Sequence, residues 1–261
     1  MSTLRFIHMS DTHISHDPGW ESFGNRTLNN SKALVKYLNT ELPFEPDFVL
    51  HTGDVVYNPD RSAYEKARDI LSELRYPIYY VRGNHDDPDM MREFLPNLPA
   101  GSGRLDYDFM IGEFHFVILD TFGNPPTTGL VEQAQLEWLE NKLSQSPARS
   151  IIFALHYLPV QTGVPVLDQK MIIQNHDALL DVLYPHRERL RCTLFGHIHR
   201  TTIAQRGGIL FSSAPAVWFQ LVLWPEDEPR FKGDRTALPG FNLVTVDHEQ
   251  TWITNHTIPK P

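Results

Sequence analysis

Short apolar runs separated by amphipathic stretches set the rhythm of the chain. Residues 4–9, 47–51, 78–81, 114–119, 151–155 and 192–195 form brief runs, mostly rich in Ile, Val, Phe or Leu and bounded by Gly, Pro or Asp. Such runs predict buried strands. Between them the period changes. Residues 28–42 carry Ala33, Leu34, Tyr37 and Leu38 at spacings of three and four, which predicts an amphipathic helix. Ser62-Ala-Tyr-Glu65 reads as a capping box opening a second helix, with Ala67, Ile70, Leu71 and Leu74 on one face. Residues 132–143 and 176–184 predict two more. Past Thr201 the pattern turns to β-like runs at 209–212, 241–246 and 252–258, with no comparable helix. No repeat, low-complexity tract or linker divides the chain. Residues 1–261 therefore read as one α/β domain of two stacked sheets flanked by helices, with 206–261 a β-rich part and a candidate lid or dimer contact.

Most predicted strands end in a polar cluster. Asp11 and His13 follow the first, Asp54 the second, and Asn84 with His85 the third; His156 follows the fifth, and His197 and His199 the sixth. In open α/β sheets ligands bind beyond the carboxyl ends of strands, so residues far apart in sequence converge there. Gly53, Gly83 and Gly196 each precede a candidate ligand by one residue, where a sharp turn lets backbone come close.

Two aspartates, one asparagine and four histidines, with His85 to spare, suit two metal ions sharing one carboxylate. Borderline-soft divalent ions accept imidazole nitrogen and carboxylate oxygen together, and an asparagine carbonyl is an acceptable neutral ligand. Asp54, central in the set, can place one oxygen on each ion and hold them about 3.5–4 Å apart. A solvent molecule between two such cations becomes a bridging hydroxide near neutral pH, aligned for in-line attack on a bound phosphoryl group. His85, beside a ligand, can donate a proton to the departing oxygen.

Taken singly these signals are weak. Asp11-x-His13 and Gly53-Asp54 occur in ordinary loops, and His156 alone reads as the polar end of a strand. Together and in this order they resemble the calcineurin-like metallophosphoesterase superfamily, whose pattern is Asp-x-His, Gly-Asp, Gly-Asn-His-Asp/Glu, His, Gly-His-x-His. The motif region covers about residues 6–200, and every block is present. The resemblance implies a four-layer α/β/β/α sandwich of two mixed sheets. It implies one ion on Asp11, His13, Asp54 and His199, a second on Asp54, Asn84, His156 and His197, and His85 at the leaving group. Length and the segment from Tyr76 into Asp87 look closest to the bacterial class III cyclic-nucleotide phosphodiesterases and glycerophosphodiesterases. The implied metals are iron, manganese, zinc or cobalt.

Composition narrows the partners. The 261 residues are 41% hydrophobic and 21% charged, as expected of a globular protein with a sizeable core. A net charge of −9, with acids and bases scattered, argues against a nucleic-acid duplex. A phosphate substrate is compatible, because two divalent ions bring four positive charges against two from Asp11 and Asp54. Cys192 is the single cysteine, so no intrachain disulfide forms; no apolar run approaches the roughly 20 residues of a membrane span. The N-terminus lacks a signal-peptide core, and the expected location is cytoplasmic. There is no Gly-x-Ser-x-Gly elbow, and Cys192 lies inside an apolar strand, which disfavours a serine or cysteine hydrolase.

The expected activity is metal-dependent hydrolysis of a small-molecule phosphodiester, cyclic nucleotides first, with a homo-oligomer (a dimer) as the candidate assembly. Glycerophosphodiesters, phosphomonoesters and phosphonate esters are alternatives, and a non-catalytic metal-binding scaffold is another class. His51, His115, His176, His186 and His248 match no block and read as surface or structural. Trp218 and Phe219, soon after a strand, read either as core or as a wall of the substrate pocket, and Trp224 and Phe231 follow them.

Overall fold

The computed structural model describes residues 2–225 and 231–261. Strands and helices alternate first: β1 (Leu4–Met9), α1 (Thr27–Thr40), β2 (Phe48–His51), α2 (Arg61–Leu71), β3 (Ile78–Tyr80) and α3 (Pro88–Phe94). The middle continues with β4 (Tyr107–Ile111), β5 (Phe114–Ile118), α4 (Gln133–Gln145), β6 (Ser150–Ala154), α5 (Pro165–Lys170), α6 (His176–Leu183) and β7 (Leu190–Phe195). The last part is β-rich: β8 (Ile203–Arg206), β9 (Ile209–Ser213), β10 (Gln220–Leu221), β11 (Gly233–Asp234), β12 (Gly240–Val246) and β13 (Thr251–Thr257).

Two mixed sheets result, ordered β13-β12-β1-β2-β3 and β4-β5-β6-β7-β9-β8, with β10 and β11 as a separate ribbon. Period-2 alternation explains the stacking. Along β1, Leu4 and Phe6 point between the sheets, while Ile7 and Met9 face the helices. Between the sheets Phe6 stacks on Phe48 at 4.7 Å, and Phe116 meets both edge-on. Outside the first sheet, Leu34 and Leu38 of α1 and Ala67 and Ile70 of α2 share a buried cluster with Ile7 and Val49. Outside the second, Leu139 and Leu143 of α4 and Leu179 and Leu183 of α6 pack with Ile151 and Phe153. Both faces of each sheet are thus covered, which is why the strands read as continuous apolar runs. The expected four-layer α/β/β/α sandwich is present.

Two local expectations need correction. The second helix is not opened by a box at Ser62 and Glu65; Asp60 is the cap, its side chain accepting from the Ala63 amide. The capping box lies instead on α4, between Glu132 and Gln135. Leu74 falls beyond the end of α2, although it stays in the buried cluster. Strand β4 and helices α3 and α5 carried no reading. Each is short, and β4 is a half-exposed edge strand with Asp108 in the middle, so periodicity had little to act on.

Strands β1, β2 and β3 run parallel, as do β5, β6, β7 and β9. Their carboxyl ends meet at one rim. The pairing of β1 with β2 continues past the strands, Asp11 N–H donating to the Gly53 carbonyl and His13 N–H to the Asp54 carbonyl, both at 3.0 Å. This ladder brings the first two polar clusters together.

Candidate metal centre

At that rim Asp11, His13, Asp54 and His199 gather so that one ligand atom from each lies within 4.8 Å of the others, and Asp54, His156 and His197 form a second such group. Asp54 belongs to both. His13 Nε2 lies 3.4 Å and His156 Nε2 3.5 Å from Asp54 Oδ2, and His199 Nε2 lies 3.3 Å from Asp11 Oδ1. Asn84 joins through Oδ1, 3.1 Å from His156 Nε2. The seven sequence-selected side chains therefore come together, and clustered Asp and His residues able to hold two metal ions are present.

Hydrogen bonds around the rim decide which ring nitrogens face inward. His156 Nδ1 donates to the Thr52 carbonyl at 2.7 Å and His199 Nδ1 to the Phe219 carbonyl at 3.0 Å. Each leaves an Nε2 lone pair directed into the cluster. His197 is reversed: Nε2 donates to the Thr127 carbonyl at 3.1 Å, which frees Nδ1. Ligand-type atoms thus crowd together at the centre. His13 Nε2 and His199 Nε2 stand 3.2 Å apart, and Asp11 Oδ1 is buried with no hydrogen-bond donor among the described residues. Buried acceptors without donors are costly unless a cation sits among them, and this donor set fits borderline divalent ions.

The electrostatics agree. Burial works against ionised Asp54 and Asp11, but the surrounding histidines outweigh it and hold both carboxyls well below the usual carboxylate range. Burial pulls His13 down to about 4 and His197 to about 3, keeping them neutral. Burial opposes charge on His156 as well, yet Asp54 and Asp11 overcome it and lift that ring to about 9. Positive charge is favoured at the Asp54–His156–Asn84 corner, whether it comes from a proton or a divalent ion.

The backbone is bent to present these groups. Asp11, His13, Asp54, His197 and His199 all adopt left-handed φ, between 42° and 66°. Asp and His tolerate this region better than most residues but still at a cost of about 1 kcal/mol or more each. Gly83 has no such φ and is required by space: a Cβ there would lie 2.2 Å from both the amide nitrogen and Oδ1 of Asp54.

A buried chain of hydrogen bonds supports the loops from below. Gly53 N–H donates to His51 Nδ1 at 3.2 Å, which leaves the proton on Nε2 for Thr12 Oγ1 at 3.0 Å. Thr12 in turn donates to the Val55 carbonyl at 2.8 Å. His51 is therefore structural, as its sequence context suggested. His115, His186 and His248 pair with Asp108, Glu140 and Glu113 away from the rim, and His176 with Asp177.

A cleft of about 280 Å³ opens over the cluster, lined by Asp54, Asn84, His85, Trp218, Phe219 and Phe231 among others. His85 N–H donates to Asp54 Oδ1 at 2.8 Å, and His85 Nδ1 donates to the Tyr57 carbonyl at 2.6 Å, leaving Nε2 without a partner among the described residues. Trp218 packs against His13 with ring centroids 4.6 Å apart, so it is a wall of this cleft as well as nearly buried. Trp224 is 63% exposed and does not line it. Three supporting groups escaped the sequence reading: Tyr57 and Thr127, which act through backbone carbonyls and so leave no side-chain signal, and Phe23. The Ser22-Phe-Gly-Asn25 stretch is a recognisable turn sequence that could have flagged Phe23.

A sequence profile of the calcineurin-like phosphoesterase family matches residues 4–201. The chain belongs to this family. Among curated relatives, a 3',5'-cyclic adenosine monophosphate phosphodiesterase from Pseudomonas aeruginosa is 29% identical over 245 residues, covering 94% of this chain and 86% of the relative. A 3',5'-cyclic-nucleotide phosphodiesterase from Nostoc sp. is 28% identical, covering 96% and 91% respectively. Among solved structures, a purple acid phosphatase from yellow lupin superposes with a TM-score of 0.70 at 16% identity, over 98% of this chain and 52% of its own. A dimetal phosphatase from Danio rerio gives 0.64 at 16% identity, over 96% and 98%. These structural likenesses concern the fold. No described helix is long and apolar enough to cross a membrane.

Proposed function

We propose that the chain is a metal-dependent phosphodiesterase that opens cyclic nucleotides. One ion would be held by Asp11, His13, Asp54 and His199, and the other by Asp54, Asn84, His156 and His197. The observation that carries this reading is the pair of buried Asp and His clusters that share Asp54, with Asp11 Oδ1 lacking a hydrogen-bond partner among the described residues, joined to relatives whose names specify cyclic-nucleotide hydrolysis. Two divalent ions bound there would supply Lewis-acid chemistry, neutralising phosphoryl oxygens and making a solvent nucleophile available near neutral pH.

The residues of the chain supply orientation and proton transfer. The Thr52, Phe219 and Thr127 carbonyls lock three imidazoles in the tautomer that keeps their lone pairs inward. The Tyr57 carbonyl fixes His85 with Nε2 free. Hydrolysis adds water across one P–O ester bond. The new P–O bond forms as the old one breaks, and the departing oxygen takes the electron pair and a proton from Nε2 of His85 in its doubly protonated form, the proton given up by the attacking water restoring that ring. The product is a nucleoside monophosphate.

The test is a hydrolysis panel on the purified chain, first stripped by chelation and then loaded singly with Mn²⁺, Fe²⁺, Zn²⁺ or Co²⁺. Turnover of 3',5'-cyclic AMP should vanish on stripping, return on loading, and exceed that of a phosphomonoester. Activity that survives complete metal removal rejects the reading. Preference for a glycerophosphodiester or a monoester replaces the substrate class, and metal uptake without any ester hydrolysis points to a binding scaffold.

A further inference from the structure

The segment between His13 and α1 ends in a tight hairpin. Ser22 and Asn25 exchange both backbone hydrogen bonds at 3.0 Å, and the two residues between them, Phe23 and Gly24, have φ of 51° and 71°. Two left-handed residues in a two-residue loop make a type I′ turn, whose first position usually holds Asn, Asp or Gly. Phenylalanine there is strained. The residue is nonetheless 37% exposed, so burial does not account for it.

The ring is held at the edge of the metal cleft. Phe23 stacks on Phe219 with centroids 4.2 Å apart and meets Trp218 at 6.2 Å. Behind it, Gly233 leaves room that a Cβ would fill, 2.4 Å from the Phe23 ring. Asn30 of α1 ties the two halves of this wall together, its Nδ2 donating to the Val217 carbonyl at 2.9 Å and to Asn25 Oδ1 at 3.3 Å. Beside the cluster, then, the cleft has a built aromatic wall. Among the described residues its lining contains no lysine, arginine or glutamate, and Asp54 is its single carboxylate.

We infer that Phe23, backed by Phe219 and Trp218, is a subsite for the planar arm of the diester, a nucleobase in a cyclic nucleotide. This deepens the phosphodiesterase reading and rests on it. The arm is held by ring contact and not by hydrogen bonds to base edges, so purines and pyrimidines are accepted alike. Stacking is tolerant in this way because every base has a π-face.

The experiment compares three substrates on metal-loaded enzyme: cyclic AMP, cyclic UMP, and the 3',5'-cyclic phosphate of methyl riboside, which keeps the reacting bond and lacks the base. For the wild type, KM should be similar for the first two and at least about fivefold higher for the third, the low end of one base-on-aromatic contact. Phe23→Asn suits the turn and should fold at least as well as the wild type. It should raise KM about fivefold for both nucleotides, with kcat and the base-free substrate unchanged. Phe23→Tyr should restore the wild-type values, and Phe23→Leu, which keeps apolar bulk without a π-face, should repeat the loss. Equal shifts for all three substrates, or none, overturn the subsite while leaving the activity standing. A wild type inert toward every diester overturns the activity itself.

Discussion

The carboxylate of Asp86 accepts the Val55 amide, 31 positions earlier in the chain, at 3.0 Å from Oδ1, and its Oδ2 takes the Gly83 amide at the same distance. One buried side chain thereby ties the loop bearing Asp54 to the loop bearing Asn84 and His85. Removing it should loosen both. Asp86→Ala is expected to lower metal content and kcat by about 10–100-fold, the usual effect of losing a group that orients ligands. Asp86→Asn, which keeps one acceptor oxygen, should lose less. Metal per chain and kcat measured on both variants check this, and full metal content in Asp86→Ala would contradict it.

Thr12 completes the chain from Gly53 through His51 to Val55. Thr12→Val keeps the shape and deletes the hydroxyl, leaving His51 Nε2–H without its acceptor while the Val55 carbonyl keeps the Ile14 amide. The expected loss is about 1–3 kcal/mol of folding stability. Thr12→Ser should recover most of it. Denaturant melts of the two variants make the comparison, and equal stability for Val and Ser would remove the hydrogen-bond argument.

His85 should show its role in leaving-group dependence. With His85→Ala, esters of good leaving groups such as 4-nitrophenolate should lose little, while alkoxide-leaving diesters lose about 10²–10⁴-fold in kcat. Metal content should stay near the wild-type value. A uniform loss across leaving groups would assign His85 to positioning instead.

Asp106 offers a pH test away from the metal cluster. Burial pushes its carboxyl from 3.8 up to about 6, although the Asp120 amide and Gln135 pull the other way. The folded state therefore prefers the protonated acid. Its stabilising contribution is complete below 3.8 and is lost as pH rises through about 6. Asp106→Asn stays neutral, so it should gain on the wild type between about pH 4 and about pH 6.5 and hold a constant lead above that. Thermal melts across this range provide the measurement. A difference independent of pH would deny the shift.

Much of this was legible in the chain because strand and ligand signals are local. Phe6 and Ile7 alternate as a doubly covered strand requires, and Gly53-Asp54 or Gly196-His197 carry their turn chemistry in adjacent residues. What escaped was set by tertiary contact. Asp60, rather than Ser62, caps α2, although both residue types are good caps; only the chain path settles the choice. Tyr57 and Thr127 contribute carbonyls, a group every residue has. Residues such as Asp11 and His199 adopt a left-handed backbone more readily than most, but too weakly for the sequence to announce it; the surrounding loops impose it.

Those left-handed residues have a consequence for how such a protein can change. Glycine would relax the chain at 11, 13, 54, 197 and 199, and would remove a candidate metal donor each time. Selection for heat resistance alone would therefore drift toward an inert, sturdier molecule. Tolerance of high temperature is a poor guide to catalytic competence in this fold, and libraries screened for one should be assayed separately for the other.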